Sequence, residues 1–415
     1  MRLAEDTADR RPDDEVGQAV DAWTRAHHGE LVALRRHLHA HPELGFVEYE
    51  TTAHLEQRLT AAGLAPRRLK SGTGLVCDVG GAGSGDPVVV LRADIDALPL
   101  ADLKDVPYAS TRDGLCHACG HDVHTTVLLG VALALASLDS LPGTVRCVFQ
   151  PAEEQVPGGG RQLVDEGVLT GGSRAFALHC DPSLQAGQVG LRTGAITAAC
   201  DRVEVTLTGP GGHTARPQLT VDLVHALGQV VTEVPGLLSR LVDPRSSLSL
   251  VWGAVSAGVA ANTIPESGQL RGTLRVLDRS VWDQAEDLVR RLVTEVAAAS
   301  GAEVAVEYVR GVPPVVNDPR CVALFRSAAL ETVGSAGVTL SPQSMGGEDF
   351  GWFADVLPIA LARLGTHGTG APLDLHRGTF DVDERAIDVG VRLMARTALH
   401  ALAADATVPA GRTGP

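Results

Sequence analysis

The sequence predicts an α/β protein with a mostly parallel sheet that is interrupted by a smaller inserted α+β domain. Three observations predict it: the length of 415 residues, short continuous apolar runs that alternate with helical patterns, and a middle segment with a different pattern. Continuous apolar runs are typical of parallel strands buried on both faces. A chain of this length suggests two cores. We therefore expect a discontinuous first domain at residues 16–199 and 313–404 and an inserted domain at residues 200–312.

The elements of the first domain follow from the spacing of apolar residues. A helical pattern covers roughly residues 16–63 and is broken at Pro42, because a proline disfavours helix at the residue before it. Later elements are predicted as strands at 74–80, 87–93, 144–150, 174–180 and 358–365, with helices at 122–138, after Asp318 and at 384–404.

Residues 200–312 alternate between half-exposed strands and amphipathic helices in the order β-α-β-β-α-β. That order is typical of a ferredoxin-like unit, here of about 110 residues. The two ends, residues 1–15 and 405–415, are polar and lack periodicity. We predict that both are disordered tails.

Charge and hydropathy exclude several classes of partner. The formal net charge of -15 disfavours nucleic acid and anionic membrane, because an acidic surface repels phosphate. The longest apolar run, residues 127–138, is shorter than the roughly 20 residues that a membrane span needs. The opening residues lack the apolar region of a signal peptide. We expect a cytoplasmic protein, and its seven scattered cysteines indicate reduced thiols.

The densest chemical signal is the segment from Cys116 to His124, CHACGHDVH, which holds two thiols, three imidazoles and a carboxylate. Borderline-soft divalent metals prefer these ligand types. The segment opens a predicted helix, whose positive end favours a thiolate at Cys119. A structural zinc knuckle is the alternative, but no second Cys/His pair follows at the required spacing. The segment therefore predicts metal ligation in an active site.

Further acidic and imidazole side chains follow the predicted parallel strands. Asp94 and Asp96 come after one strand, Glu153 and Glu154 after the next, and His179 lies at the end of a third. Ligands of open α/β sheets bind at the carboxyl ends of strands. Taken singly, the glutamates could form a solvated turn and the histidine could be a core residue. Together with the cysteine and histidine segment they indicate one metal centre.

The adjacent glutamates Glu153 and Glu154 can take two different roles. One can bind a metal ion while the other takes a proton from the attacking water, whose pKa a metal ion lowers from 15.7 toward about 7. A positioned base of this kind contributes about 10²–10⁴-fold to the rate. The sequence therefore predicts hydrolytic chemistry.

With these motifs in order along nearly the whole chain, the sequence resembles the metallopeptidase-like amidohydrolases. That family includes aminoacylases, glutamate-releasing carboxypeptidases, hippurate hydrolase and the plant hydrolases of indole-acetyl amino acids. The resemblance is carried by RRHLHAHPELGF, LRADIDALP, CHACGHDVHTT, FQPAEE, ALHCDP, TGPGGHTARP, ANTIPESGQLRGTLR, MGGEDF and LHRGTFDVDE. It implies two divalent ions per chain (zinc, manganese, cobalt or nickel) and cleavage of N-acyl amino acids or dipeptide-like molecules.

The resemblance also implies roles for individual residues. The implied metal ligands are Cys119, His121, Glu154, His179 and His376. Glu153 is the implied general base. Asp94 and Asp96 stand where other branches have His-x-Asp, and we expect them to orient the ligands.

In the family the inserted domain is a lid that commonly also mediates dimerisation, so we expect a homodimer or tetramer. His213 matches a histidine that polarises the scissile carbonyl, and Asn262 and Arg275 match positions that fix the substrate. A guanidinium suits a carboxylate because it can bind it by two parallel hydrogen bonds. The alternatives are a turn cap for His213 and a strand ion pair for Arg275.

One departure concerns the last ligand, where Leu375-His376-Arg377-Gly378 replaces the usual Leu-His-Ser-Pro. The ligand is kept and the loop beside it differs. Competing functions are a dipeptidase, a carboxypeptidase-type hydrolase or an inactive metal-binding homologue, and the intact ligand set argues against the last. A dinucleotide-binding oxidoreductase is disfavoured, because the glycine-rich run at 80–85 precedes a strand.

Overall fold

The computed structural model describes residues 12–81, 87–370 and 373–406. The helices are α1 Pro12–Ala40, α2 Tyr49–Ala61, α3 His121–Ala136, α4 Gly158–Asp165, α5 Leu223–Leu241, α6 Arg279–Ala298, α7 Pro319–Gly337 and α8 Arg385–Ala406. The strands are β1 Arg67–Arg68, β2 Leu75–Gly80, β3 Val88–Asp94, β4 Thr144–Gln150, β5 Gly172–Gln185, β6 Val189–Leu191, β7 Gly194–Ala195, β8 Ala199–Thr208, β9 Gly212–His213, β10 Ser249–Ala257, β11 Thr263–Ile264, β12 Ser267–Val276, β13 Glu303–Val312, β14 Val316–Asn317, β15 Val338–Leu340 and β16 Ile359–His367.

The described residues form two compact units. The first takes the chain up to Gly194, Asn317–Pro342 and the chain from Trp352 onward, and the second takes Ala195–Val316 and Gln343–Gly351. The insertion predicted at 200–312 falls inside the second unit, which also includes residues 343–351. Of the predicted tails, residues 12–15 and 405–406 belong to α1 and α8. Residues 1–11 and 407–415 lie outside the described residues.

The first unit contains an eight-stranded sheet in the order β1-β2-β4-β3-β5-β16-β6-β15. The four central strands β4, β3, β5 and β16 run parallel to one another. Strand β2 pairs antiparallel with β4, and β6 pairs antiparallel with β16. The predicted α/β class is confirmed, and the sheet is mixed because its flanks are antiparallel.

Helix α3 lies at the centre of the first unit's core. Fourteen of its 16 residues are buried, since apolar side chains occur on every face of the helix. It packs against α1, α8 and β3. The position of its first residue, His121, is therefore fixed by the core. None of the helices in the described part of the chain is long and apolar enough to cross a membrane.

The second unit is an antiparallel sheet in the order β10-β12-β8-β13 with helices α5 and α6 packed on it. Burial alternates along β8 and β12, so each strand has one covered face. The element order and the strand order together are those of a ferredoxin-like unit. The predicted fold of the insertion is confirmed.

The segment between α1 and α2 supports the loop that follows β4. Glu48 is fully buried, and its Oε1 accepts a hydrogen bond from the backbone N–H of Ala152 at 2.8 Å. Ala152 has a φ of 54°, a left-handed conformation that is unfavourable for a residue with a Cβ. This hydrogen bond therefore stabilises the turn that leads into Glu153. Burial raises the pKa of the Glu48 carboxyl to about 7.

Replacing Glu48 by glutamine should change how stability depends on pH. Glutamine keeps the acceptor oxygen and removes the ionisable group. Because the carboxyl pKa rises from 4.5 in the unfolded chain to about 7 in the folded chain, ionisation destabilises the wild type progressively as pH rises through that window. Between pH 5 and pH 8, the free energy of unfolding of the wild type should fall by about 3 kcal/mol relative to that of Glu48→Gln. Urea unfolding of the metal-free proteins at pH 5 and pH 8 measures this difference.

Glu30→Gln provides the control, because Glu30 is an exposed residue of α1. Its stability relative to the wild type should be similar at the two pH values. A difference between wild type and Glu48→Gln that does not change with pH would contradict the proposed cost of ionising Glu48.

Candidate metal centre

The candidate site lies at the carboxyl ends of β3 and β4, beside the part of β5 that contains His179. Asp94 ends β3 and Asp96 follows it, Glu153 and Glu154 follow β4, and His179 lies in β5. Because these strands are parallel neighbours, the ends of β3 and β4 and the middle of β5 share one edge of the sheet. The sequence placed His179 at the end of its strand, whereas β5 continues past it to Gln185 along β16. The structure thus brings together the side chains that the sequence places after separate strands.

A left-handed glycine turn delivers the cysteine and histidine segment to this edge. Gly120 has a φ of 88° and precedes α3. A Cβ added there would lie 2.7 Å from the Sγ of Cys180, so only glycine fits. The turn places Cys119 and His121 on either side of Gly120, at the start of the buried helix.

The donor atoms of the predicted ligands form overlapping groups. Three groups have their donor atoms within 4.8 Å of one another: Cys119 with His121 and His179, Cys119 with Glu154 and His376, and His121 with Glu153 and Glu154. The Sγ of Cys119 lies 3.5 Å from Nε2 of His179, and Nε2 of His376 lies 3.2 Å from Oε1 of Glu154. All five predicted ligands and the predicted base therefore lie in one cluster.

The imidazoles of His121 and His179 are each fixed by a contact at Nδ1, and Nε2 of each faces the other donor atoms of the cluster. The Nδ1 of His121 lies 3.0 Å from the backbone oxygen of Asp96, and its Nε2 is buried with no hydrogen-bond partner in the described structure. The Nδ1 of His179 lies 2.8 Å from the backbone oxygen of Cys180. Metal-ligating histidines typically have this arrangement. Because sulfur, nitrogen and oxygen donors meet here, the residues fit a divalent metal of the zinc type.

The charge states of the cluster correct one expectation from the sequence. Burial raises the pKa of the Cys119 thiol well above its ordinary value, whereas the start of a helix was expected to lower it. Loss of hydration outweighs the helix end, so the thiolate form needs a cation. Burial by itself would raise the pKa of Glu154, but the adjacent imidazoles of His376 and His121 lower it. Burial lowers the pKa of His179, which keeps this imidazole neutral.

The two aspartates lie beside the imidazoles. Oδ1 of Asp96 is 3.2 Å from Nδ1 of His121, and its Oδ2 accepts the backbone N–H of Glu154 at 3.0 Å. Oδ1 of Asp94 is 2.6 Å from Nδ1 of His124. Asp96 thus contacts two predicted ligands. His124, which the sequence analysis gave no role of its own, joins the site through Asp94.

The altered loop at the last ligand has a steric explanation. A Cβ at Gly378 would lie 2.1 Å from the backbone oxygen of Ala101, so the loop around residue 101 packs directly on this glycine. The amide of Leu103 donates to the oxygen of Gly378 at 2.8 Å. His376 itself has a φ of 58° and donates its backbone N–H to Ala118. The departure therefore keeps the ligand and permits a close backbone contact.

The remaining predicted residues belong to the second unit. His213 in β9 pairs with Thr263 in β11, and the backbone oxygen of Asn262 accepts the N–H of Thr214 at 3.3 Å. This ribbon brings His213 and Asn262 together. Arg275 lies on β12 and donates to the backbone oxygen of Met345. Its guanidinium is therefore anchored within the second unit.

Comparison with known proteins places this geometry in a family. The sequence profile described as peptidase family M20/M25/M40 matches residues 90–400. A curated protein of Rhodococcus jostii (strain RHA1), provisionally named glutamate--cysteine ligase 2-3, is 48% identical over 373 residues. That alignment covers 89% of this chain and 47% of the relative, so the chain spans about half the length of that protein.

Two relatives match over most of their length. N-acetyl-L-cysteine deacetylase of Bacillus subtilis (strain 168) is 37% identical, with 86% of this chain and 85% of that protein covered. The crystal structure of the Bacillus subtilis YXEP protein, described as a dinuclear metal binding peptidase from the M20 family, has a TM-score of 0.80 and 33% identity. The structural alignment covers 92% of this chain and 99% of the YXEP chain. The chain belongs to peptidase family M20/M25/M40, a family of hydrolases that act on amide or peptide bonds.

Proposed function

We propose that this chain is a metal-dependent amidohydrolase that cleaves the amide bond of N-acyl amino acids. The observation that carries the proposal is the cluster of sulfur, nitrogen and oxygen donors at the sheet edge, with Glu153 beside it. The similarity to a deacetylase of N-acetyl-L-cysteine supports an acylated amino acid as the substrate. The similarity to a dinuclear metal binding peptidase supports two metal ions per chain.

The proposed ligands would hold two divalent ions, which we expect to be zinc, manganese, cobalt or nickel. These ligands are Cys119, His121, Glu154, His179 and His376. Divalent ions bound there supply Lewis acidity, which polarises an amide carbonyl and acidifies a water molecule. Asp96 keeps His121 and the backbone of Glu154 in place through the contacts described above.

Glu153 carries the proton transfers in this proposal. Its carboxylate oxygen accepts a proton from the attacking water and then delivers that proton to the leaving amine nitrogen. The water oxygen forms the new bond to the carbonyl carbon while the carbon–nitrogen bond breaks. The products are the carboxylate of the acyl group and the free amino acid.

Glu153→Gln should remove this base and leave the metal ions bound. We expect kcat to fall by about 10²–10⁴-fold or more, while metal content stays near that of the wild type. Turnover of an N-acyl amino acid, together with metal analysis of the same preparation, tests the expectation. Cys119→Ala and His179→Ala are the matched comparison, since loss of a ligand should lower metal occupancy.

Two outcomes would contradict these assignments. Loss of metal in Glu153→Gln together with activity would exchange the roles of Glu153 and Glu154. Full metal occupancy in both Cys119→Ala and His179→Ala would remove these residues from the ligand set.

The second unit is proposed to act as the lid and to assemble the protein as a homodimer or tetramer. Strand β10 is an edge of the four-stranded sheet, and Val251 and Val255 on it are 62% and 63% exposed. An edge strand with unpaired backbone groups and exposed apolar side chains favours pairing with a second copy. In this proposal His213 polarises the scissile carbonyl of a substrate bound by the neighbouring chain.

Mixing two inactive variants tests whether His213 acts across such an interface. Glu153→Gln chains supply an intact His213, and His213→Ala chains supply an intact Glu153. Hybrid assemblies should recover part of the wild-type activity, because some sites then contain both residues. As the control, chains that carry both Glu153→Gln and His213→Ala are mixed with chains of one single variant. A wild-type enzyme that is active as a monomer would contradict this part of the proposal.

Arg275 is proposed to bind the substrate carboxylate by two charge-assisted hydrogen bonds. N-acyl amino acids should therefore be cleaved faster than their carboxamides, and Arg275→Ala should reduce this preference. We would measure kcat/KM for one acyl amino acid and its carboxamide in both proteins. Arg271→Ala is the matched control, because Arg271 lies on the same strand and contacts Glu204 at 3.5 Å. Equal rates on both compounds in the wild type would contradict recognition of the carboxylate.

A further inference from the structure

His124 is a buried imidazole beside the candidate metal centre that the proposed chemistry leaves without a role. It is 3% exposed and lies one turn after His121 on helix α3. Its ring centroid lies 5.1 Å from that of His179. The imidazole thus packs directly against a proposed ligand.

Both ring nitrogens of His124 have partners that fix the tautomer. The backbone N–H of Cys180 donates to Nε2 at 2.8 Å, so this nitrogen carries the lone pair. Nδ1 then carries the hydrogen and donates to Oδ1 of Asp94 at 2.6 Å. The other oxygen of Asp94 accepts from Arg92 at 2.7 Å. Four buried groups therefore form one continuous chain from Arg92 to the Cys180 backbone.

This chain begins where the backbone ladder between β3 and β5 stops. The two strands pair from Val88 to Arg92, and the last pair joins Arg92 to Ala177. Beyond it, Asp94 on β3 and Cys180 on β5 are connected through the imidazole of His124. A ring with a hydrogen bond on each side is wider than a single backbone hydrogen bond of about 2.9 Å. The imidazole therefore holds the end of β3 and the part of β5 around Cys180 apart.

The part of β5 held by His124 carries the proposed ligand His179. Cys180 donates its backbone N–H to His124 and also provides the carbonyl oxygen that contacts Nδ1 of His179 at 2.8 Å. A shift of the Cys180 backbone would therefore move Nε2 of His179, which lies 3.5 Å from the Sγ of Cys119. The position and the ring orientation of His179 thus both depend on the backbone of this one residue.

We propose that His124 is a positioning residue for His179, acting as a spacer between the end of β3 and the neighbouring part of β5. The inference rests on the proposed function in taking His179 as a metal ligand. His124 itself contacts neither substrate nor the proposed ions. Its role is to set the distance and angle at which His179 meets Cys119.

Three substitutions separate the two hydrogen bonds of the spacer. His124→Phe keeps a ring and removes both bonds. His124→Asn keeps a donor near the position of Nδ1, and His124→Gln keeps an acceptor near the position of Nε2. Thr126→Val is the matched control, because the hydroxyl of Thr126 is buried on the same helix and has no hydrogen-bond partner in the described structure.

The measurements should include two that do not depend on catalysis. The first is Zn²⁺ affinity by chelator competition, with the visible spectrum of the Co²⁺-loaded protein as a report on the Cys119 and His179 geometry. The second is hydrogen–deuterium exchange across residues 177–181 in the metal-free protein. His124→Phe should bind Zn²⁺ about 10–100-fold more weakly, change the Co²⁺ spectrum and exchange faster. His124→Gln should retain more of the wild-type behaviour than His124→Asn, and Thr126→Val should match the wild type.

The outcomes distinguish this inference from the proposed function. An affinity and a Co²⁺ spectrum of His124→Phe that match the wild type, with only thermal stability reduced, would overturn the positioning role. If His124→Asn and His124→Gln had equal Zn²⁺ affinities, Co²⁺ spectra and exchange rates, the contact between His124 and Cys180 would not position His179. This comparison can be made even if His124→Phe does not fold. If the wild type bound no Zn²⁺ or Co²⁺, the proposed function would fail, while the exchange measurement would still decide whether His124 spaces the strands.

Discussion

The burial of ionisable side chains at the end of β3 and the start of α3 is the constraint on which the rest of the first unit depends. A buried carboxylate is tolerated only if charged and hydrogen-bonded partners are fixed around it. Asp122 at the start of α3 has such partners: Arg35 and His39 of α1 each approach its Oδ2 to 2.7 Å. Burial by itself would raise the pKa of Asp122, but Arg35 and His39 lower this pKa well below its ordinary value. The apolar packing of α1 on α3 therefore includes a buried ionic contact, placed next to the proposed metal ligands.

Close backbone approaches bring the loops of the site within reach of one another. Gly159 would place a Cβ 1.9 Å from the backbone oxygen of Pro151, just before the two glutamates. Gly378 has the same role at the backbone of Ala101, and Gly120 leaves room for the side chain of Cys180. At these positions a side chain would force two backbone segments apart and widen the cluster. The glycines thus set the size of the site, and the charged residues set its chemistry.

Imidazole orientation connects the buried charges to the proposed chemistry. His121, His124 and His179 each use Nδ1 for a fixed contact, to Asp96, Asp94 and the Cys180 carbonyl respectively. The remaining nitrogens differ in what they meet. Nε2 of His124 accepts a backbone N–H, whereas the Nε2 atoms of His121 and His179 are directed toward the other donors. The contact at Nε2 therefore separates the three histidines into two proposed ligands, His121 and His179, and one proposed spacer, His124.

The sequence by itself determined the α/β class, the order of elements in the insertion and the residue types at the strand ends, because periodicity and strand termini are local properties. The cysteine and histidine segment at the start of a helix and the glutamate pair after a strand predicted a metal centre from their places, and the family resemblance implied Cys119, His121 and Glu154 as ligands. Only the tertiary structure decided which distant residues meet, such as His376 with Glu154. It also decided that burial raises the pKa of Cys119. Such contacts depend on strand register, loop paths and the exclusion of water, and none of these is written in the spacing of neighbouring residues.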